Sequence, residues 1–480
     1  MIASGRAKWL GLAVLLAVQF MVVLDIAIVN VALPSIKDDL GFSQENLQWV
    51  ISAYALVFGG FLLLGGRMAD LLGRRRVFLG GLVLFGVGSL LCGLAWSDTA
   101  LIGARAIQGL GAAVITPAAL SILMTTFKEG RERNIALGLW GAVGGFGAAA
   151  GVLLGGVLTD LLSWEWIFFV NVPVAVLALV VSPFLLGESR DASAKHFDVL
   201  GAVLVTGGLS AAVLAITQGH QWGWDSAKTI GVFVLSGLLL AAFVVWEQRV
   251  EDPLMRFSIF RVRTVLGANI TGFILGTALF AMFLMLTLYM QQVLHYSPMK
   301  TGVAYLAVAG TSIIWANVAA ALVSRVGVKP LIAVGMALLA VGMLLFTRLE
   351  VDGSYWTDLF PGFLIIAMGL AFCFVPISIA ALAGIKPSEA GLASGLINTS
   401  QQIGGAVGIA ILSTVATTRT DDAVQSGTAV PNALVEGFQA AFYVGAAVAL
   451  VGVVAALVFI RREELEQAPV PEVAAAFDAA

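Results

Sequence analysis

The sequence predicts an all-α integral membrane protein with fourteen transmembrane helices. Three observations lead there. Of 480 residues, 60% are hydrophobic and only 11% are charged, whereas soluble domains carry about a quarter charged residues. The apolar residues come in long blocks, and a block of about 18 or more can cross a bilayer. Finally, Lys and Arg are dense and sparse in alternate connecting segments.

The first block, 9–31, follows Arg6 and Lys8. It is too long for a secretory signal and no small-residue cleavage site follows it, so it reads as a span. Blocks 46–66, 77–96, 99–125, 135–158 and 166–186 come next, followed by 198–217 and 229–246. The last six are 264–289, 301–323, 331–347, 359–384, 390–416 and 437–460. Most contain Gly or Pro, which membrane helices tolerate better than soluble ones. The longest outer loop, 417–436, is polar with one Pro and needs no fold of its own. The tail 461–480, made largely of Pro, Ala and Glu, is expected to be disordered.

With the N-terminus placed inside, 20 Lys and Arg residues fall on inner segments. Five fall outside: Lys37, Lys228, Lys300, Arg348 and Arg419. Arg105, within a span, completes the 26. A missed span would have scrambled this alternation, so both termini are predicted to be cytoplasmic in the cell (plasma) membrane.

The net charge of −3 provides no basic stripe for nucleic acid. Cys92 and Cys373 lie within apolar blocks without metal-type spacing and read as packing residues. Arg outnumbers Lys 18 to 8 and Ala and Gly abound, which suggests a bacterial source.

Asp25 is the only carboxylate well inside a predicted span. A mid-span charge costs about 2.5–3.5 kcal/mol on insertion scales, so it is usually retained for a function. Desolvation favours the neutral form of a carboxyl, so an acid placed here can hold a proton and release it when water or a cation arrives. Arg105 is the only fixed positive charge within a span. The first span runs outward and the fourth inward, which puts Asp25 and Arg105 at equal depth, about 9 Å below the outer surface. Equal depth permits a contact without requiring one. The competing readings are a static Asp–Arg pair that fixes helix packing, or an arginine that snorkels to the interface.

Several stretches resemble the fourteen-span drug:proton antiporter branch (EmrB/QacA type) of the major facilitator superfamily, over nearly the whole chain. Asp25-Ile-Ala-Ile-Val-Asn30-Val-Ala-Leu-Pro34 resembles the first-span motif, which implies a proton-carrying role for Asp25. Gly66-Arg-Met-Ala-Asp70-Leu-Leu-Gly73-Arg74-Arg75 resembles the loop motif that latches the two halves, with Leu71 where the family usually has a basic residue. Arg105-Ala-Ile-Gln108-Gly109 resembles the fourth-span motif, in which the arginine is tied to proton transfer. Gly147, Gly151, Gly155 and Gly156 resemble the fifth-span motif that marks exporters, with Val152 where the family usually has Pro. A plain small-residue packing face is the alternative there. Trp166 to Pro173, with Asn171 inside it, Tyr289 to Pro298 and Gly391 to Gly405 match as branch markers and not as chemistry.

The resemblance implies two six-helix bundles, 9–186 and 264–460, with two inserted helices over 198–246 and a tail at 461–480. It also implies proton-coupled efflux of small lipophilic or cationic compounds by alternating access, in a monomer that needs no cofactor and no metal beyond the proton gradient. A polyspecific cavity should be apolar with a few polar groups. Its candidates are Gln19, Tyr54, Gln108, Asn269, Phe280, Met282, Phe283, Tyr289, Asn317, Asn398 and Gln402. A symporter or uniporter of the same fold is the nearest rival, and a dedicated exporter of one self-made metabolite is another. Enzyme chemistry is disfavoured, since no HExxH, paired mid-span His or Ser–His–Asp set appears among only three His.

Overall fold

A computed structural model describes residues 5–127, 131–190, 198–251, 253–255, 257–385, 390–461 and 464. Of the predicted tail 461–480, only Arg461 and Glu464 are among them. The first six long helices are α1 (Gly5–Leu40), α2 (Trp49–Leu72), α3 (Arg74–Gly93), α4 (Asp98–Thr126), α5 (Arg131–Leu161) and α6 (Asn171–Leu185). Two more follow, α7 (Val199–Trp222) and α8 (Ala227–Glu247). The last six are α9 (Arg263–Leu288), α10 (Leu306–Val326), α11 (Val328–Phe346), α12 (Phe360–Ala381), α13 (Ala390–Gln425) and α14 (Val430–Phe459). Among the described residues, 13 helices are long and apolar enough to cross a membrane, and α5 adds the apolar stretch Phe146–Leu161.

The chain forms two compact units. The first comprises Met1–Ala212 and Val232–Met255; the second comprises Val213–Gly231 and Arg256–Ala480. In the first, α4 packs along both α2 and α3, α1 along α5, and α3 along α6. The second repeats this scheme: α12 packs along α10 and α11, α9 along α13, and α11 along α14. An internal structural repeat is therefore present, although the two copies share little sequence. Each unit has its own core. Phe78, Phe85 and Ile115 are buried in the first. In the second, Phe346 packs edge-on against Phe363 and tilted against Phe442.

Two boundaries differ from expectation. The loop predicted over 417–436 is mostly helix: α13 runs on to Gln425 and α14 begins at Val430. Arg419 pairs with Glu436 at 2.6 Å across the two helices. Apolar patterning marks where lipid ends, whereas a helix ends only where its backbone hydrogen bonds do. Similarly, α1 continues past 31 to Leu40 and carries Pro34 inside it. The missing N–H of Pro34 leaves one carbonyl a turn earlier unpaired.

Candidate functional site

Asp25 sits in the middle of α1 and is fully buried, and Arg105 is 1% exposed. Ser97 caps α4 by accepting from the Ala100 N–H, which fixes the start of the helix two turns before Arg105. The Arg105 guanidinium donates from Nη1 to Asp25 Oδ2 at 2.7 Å and to Gln108 Oε1 at 2.6 Å. Its Nε donates to the Val50 carbonyl in the first turn of α2 at 2.9 Å. It lies over the Tyr54 ring, 4.3 Å from the centroid. The equal depth read from the sequence is therefore a direct ion pair, and Arg105 does not snorkel.

The other Asp25 oxygen is caged by amides. Gln108 Nε2 and Asn171 Nδ2 each donate to Oδ1 at 2.7 Å. Both amides also donate to Ser89 Oγ, at 2.6 and 3.2 Å. Asn171 is the first residue of α6, brought there by the helical turn Trp166–Phe169, and Pro173 follows in the first turn, where a missing N–H costs little. Three helices, α1, α4 and α6, thus meet on one carboxylate, α2 and α3 supply acceptors behind the donors, and every donor to Asp25 is N–H. Charge-assisted bonds of this kind, between buried groups, are the strong ones. The arrangement fits a negative Asp25 held by Arg105; a proton arriving on the carboxyl would cancel the pair and free the guanidinium.

The fifth-span glycines pack onto the turns of α1 that flank Asp25. A Cβ on Gly151 would lie 2.7 Å from the Leu24 carbonyl oxygen, and one on Gly155 would lie 2.6 Å from that of Ile28. Gly147 faces Val23 at 3.2 Å. Gly156 is buried on the same helix, and Val152 is buried without breaking it. Asn30, one turn on from Ile26, donates back to the Ile26 carbonyl at 3.1 Å.

The loop motif forms a second cluster. Arg74 Nη2 donates to Asp70 Oδ1 at 2.9 Å within the same unit. Gly73 has φ 107°, which L side chains rarely adopt, and a Cβ there would lie 2.8 Å from Glu188 Oε1. Glu188 receives the backbone N–H groups of Arg75 and Arg76 at the N-terminus of α3, both at 3.2 Å. Arg75 Nη1 donates to the Leu186 carbonyl at 3.0 Å. Gly66 faces Pro117 on α4.

The cavity candidates separate. Gln108 belongs to the Asp25 cage, and Tyr54 lies under Arg105. Gln19 and Gln402 each have a buried amide oxygen that lacks a donor among the described residues. Asn269 accepts from Ser400 Oγ at 2.8 Å. Phe280 and Phe283 are half-buried, with Phe283 against Tyr305 at 4.9 Å, and Met282 is fully packed. Tyr289, in a π-helical turn, donates its hydroxyl to the Glu350 carbonyl at 2.7 Å. Asn317 and Asn398 are exposed, and each donates back one turn along its own helix.

Sequence reasoning missed Asn171 as a partner of Asp25, and Ser89 and Glu188 altogether. For Asn171 the signal was its place in the Trp166 to Pro173 stretch, read as a branch marker and not as chemistry; Ser89 had none.

The Major Facilitator Superfamily profile matches residues 15–409. The chain belongs to the major facilitator superfamily. Among curated relatives of this facilitator protein, the puromycin resistance protein pur8 of Streptomyces alboniger is 43% identical over 433 residues, covering 90% of this chain and 86% of that protein. The cephamycin export protein CmcT of Amycolatopsis lactamdurans is 40% identical, covering 83% and 82%. The multidrug resistance protein Stp of Mycobacterium tuberculosis is 35% identical, covering 82% and 73%. Among solved structures, a peptide transporter POT in complex with sulfate superposes with a TM-score of 0.68 at 17% identity, covering 93% of each chain, which shows the fold alone. The facilitator fold and the family's role as transporters are thus established for this chain.

Proposed function

We propose that this protein is a proton-driven exporter of small lipophilic or cationic compounds, working by alternating access in a bacterial plasma membrane with both termini in the cytoplasm. The observation that carries this reading is the fully buried Asp25, held by Arg105 and two amides. It is a charge inside a span whose removal by a single proton changes the contacts that join α1 to α4 and α6. The glycine packing of α5 on α1 around that residue fits the exporter motif, and resistance and export proteins among the relatives support the outward direction. Substrate and proton compete for one carboxylate, and the difference in substrate affinity between its two protonation states supplies the coupling.

The test is efflux of a fluorescent lipophilic monocation from loaded cells or into everted vesicles under an imposed proton gradient. Wild type should transport against the cation gradient, and Asp25→Asn should not. Gradient-driven transport by Asp25→Asn would falsify the coupling role. A narrower reading, a dedicated exporter of one antibiotic-like compound, is favoured by relatives named for single antibiotics. A cargo panel separates the two: broad efflux supports the first, and a single responding compound the second.

A further inference from the structure

Asp198 and Glu247 lie apart from the Asp25 cage, at the start of α7 and the end of α8. Each is only 4% exposed. Asp198 caps α7: its Oδ1 accepts from the Gly201 N–H at 2.8 Å and from the Trp246 indole Nε1 at 2.8 Å. Glu247 Oε2 accepts from the Met255 N–H at 3.1 Å, and the Leu254 N–H also bonds to this carboxyl. One oxygen of each carboxyl is therefore satisfied by N–H donors. The remaining two, Asp198 Oδ2 and Glu247 Oε1, are buried and have no N–H or O–H donor from any other described residue. They point at the same spot. A Cβ on Gly201 would lie 2.5 Å from Asp198 Oδ2 and 2.6 Å from Glu247 Oε1, so the two free oxygens converge on one point.

Among the described residues no ion pair joins a Lys or Arg to either group, and no third His, Cys, Asp or Glu joins them to make a metal cluster. Two buried carboxylates that converge with no cation between them disfavour double ionisation, and one shared hydrogen would satisfy both free oxygens. Oδ1 and Oε2 are already acceptors, so that hydrogen belongs between Oδ2 and Oε1.

We propose that Asp198 and Glu247 form a second proton-binding site, in which one proton shared by the two carboxyls ties the first turn of α7 to the last turn of α8 and to the segment 253–255. The ligand is a proton and not a metal ion, because only two free carboxyl oxygens converge there and no third metal-ligating side chain joins them among the described residues. Gly201 is the residue that lets them meet.

Infrared difference spectroscopy on the purified full chain in lipid at neutral pH, in H2O and D2O, tests this by counting protonated carboxyls. Asp198→Asn and Glu247→Gln should each remove one protonated-carboxyl C=O band, shifted in D2O. The double variant should remove that same single band together with one ionised-carboxylate signal. Asp25 is unchanged in every variant, so its contribution cancels and the outcome does not depend on how efflux is driven. If the double variant instead lost two carboxylate signals and no protonated band, both groups are ionised and the proposal fails. Loss of two protonated bands in the double variant overturns it as well, since each group would then hold its own proton. Should one amide variant fail to assemble, the other carries the same expectation alone. Gly201→Ala, which drives the oxygens apart, should weaken or shift the band in the folded protein.

Discussion

Arg105 makes more contacts than neutralising Asp25 requires. Its fork reaches Asp25, Gln108 and the Val50 carbonyl at once and stacks on Tyr54. A lysine keeps the charge but is a compact point donor on a flexible stem and cannot span these acceptors. Arg105→Lys should therefore fold normally yet lose gradient-driven efflux by about tenfold or more, the equivalent of about 1.4 kcal/mol in the barrier. Vesicle efflux rates beside a thermal unfolding scan check both halves of that statement. Arg105→Ala is different in kind: it strands a buried carboxylate, and removing one partner of such a pair costs about 3–5 kcal/mol. At this scale the sequence was legible where a residue was chemically out of place. A charge inside an apolar block stands out, so Asp25 and Arg105 could be read directly. Asn171 and Ser89 could not, because uncharged polar side chains are common in membrane helices and only the packing of α3 and α6 against α1 reveals which carboxylate they serve.

Between helices, the α1–α5 contact gives a graded expectation. A methyl group on Gly155 would press on the Ile28 carbonyl oxygen, which belongs to helix backbone and cannot yield, whereas one on Gly147 would meet the Val23 side chain at 3.2 Å. Gly155→Ala should thus be destabilised by about 1–3 kcal/mol, the usual range for overpacking, and Gly147→Ala by clearly less. Melting temperatures of the two variants in detergent give the order. Helix termini make a second case. Glu464 accepts from the Thr264 N–H at 2.8 Å in the first turn of α9. Partial burial works to raise its pKa, but the hydrogen bonds from Thr264 and Arg263 and the charge of Arg461 outweigh it and hold the carboxyl below the usual glutamate range. A depressed carboxyl stabilises the fold above its unfolded pKa of about 4.3 and loses that contribution as pH falls through the folded value. The stability difference between wild type and Glu464→Gln should accordingly shrink on acidification from about pH 5. Helix existence was plain from the apolar blocks. Helix ends were not, since α13 and α14 extend beyond the lipid-facing residues, and their continuation depends on pairs such as Arg419–Glu436 that hydropathy does not register.

Across the whole molecule the two units repeat one packing scheme but not one charge distribution. Every buried charged residue among those described, Asp25, Arg105, Asp198 and Glu247, belongs to the first unit; the second buries only neutral polar groups such as Asn269, Thr271 and Thr277. The repeat was expected from the family resemblance but only faintly visible in the residues themselves, because packing conserves residue size and apolarity, which many sequences satisfy. One mid-span carboxylate sets a limit on cargo. Under the proposed mechanism a monocation is matched by a single deprotonated Asp25, with one proton exchanged per cycle as the expected stoichiometry. A dication leaves a unit of positive charge uncompensated in the membrane, at about 2.5–3.5 kcal/mol, which corresponds to about a hundredfold in rate. Measured in the same vesicles at a fixed proton gradient, a lipophilic dication should be extruded about a hundredfold more slowly than a monocation of similar size. Introducing an acid on α1 one turn from Asp25, as in Met21→Glu, should narrow that gap if the variant folds. Equal efflux of both cations by wild type would mean that a second negative group serves the cargo, and that Asp25 does not act alone.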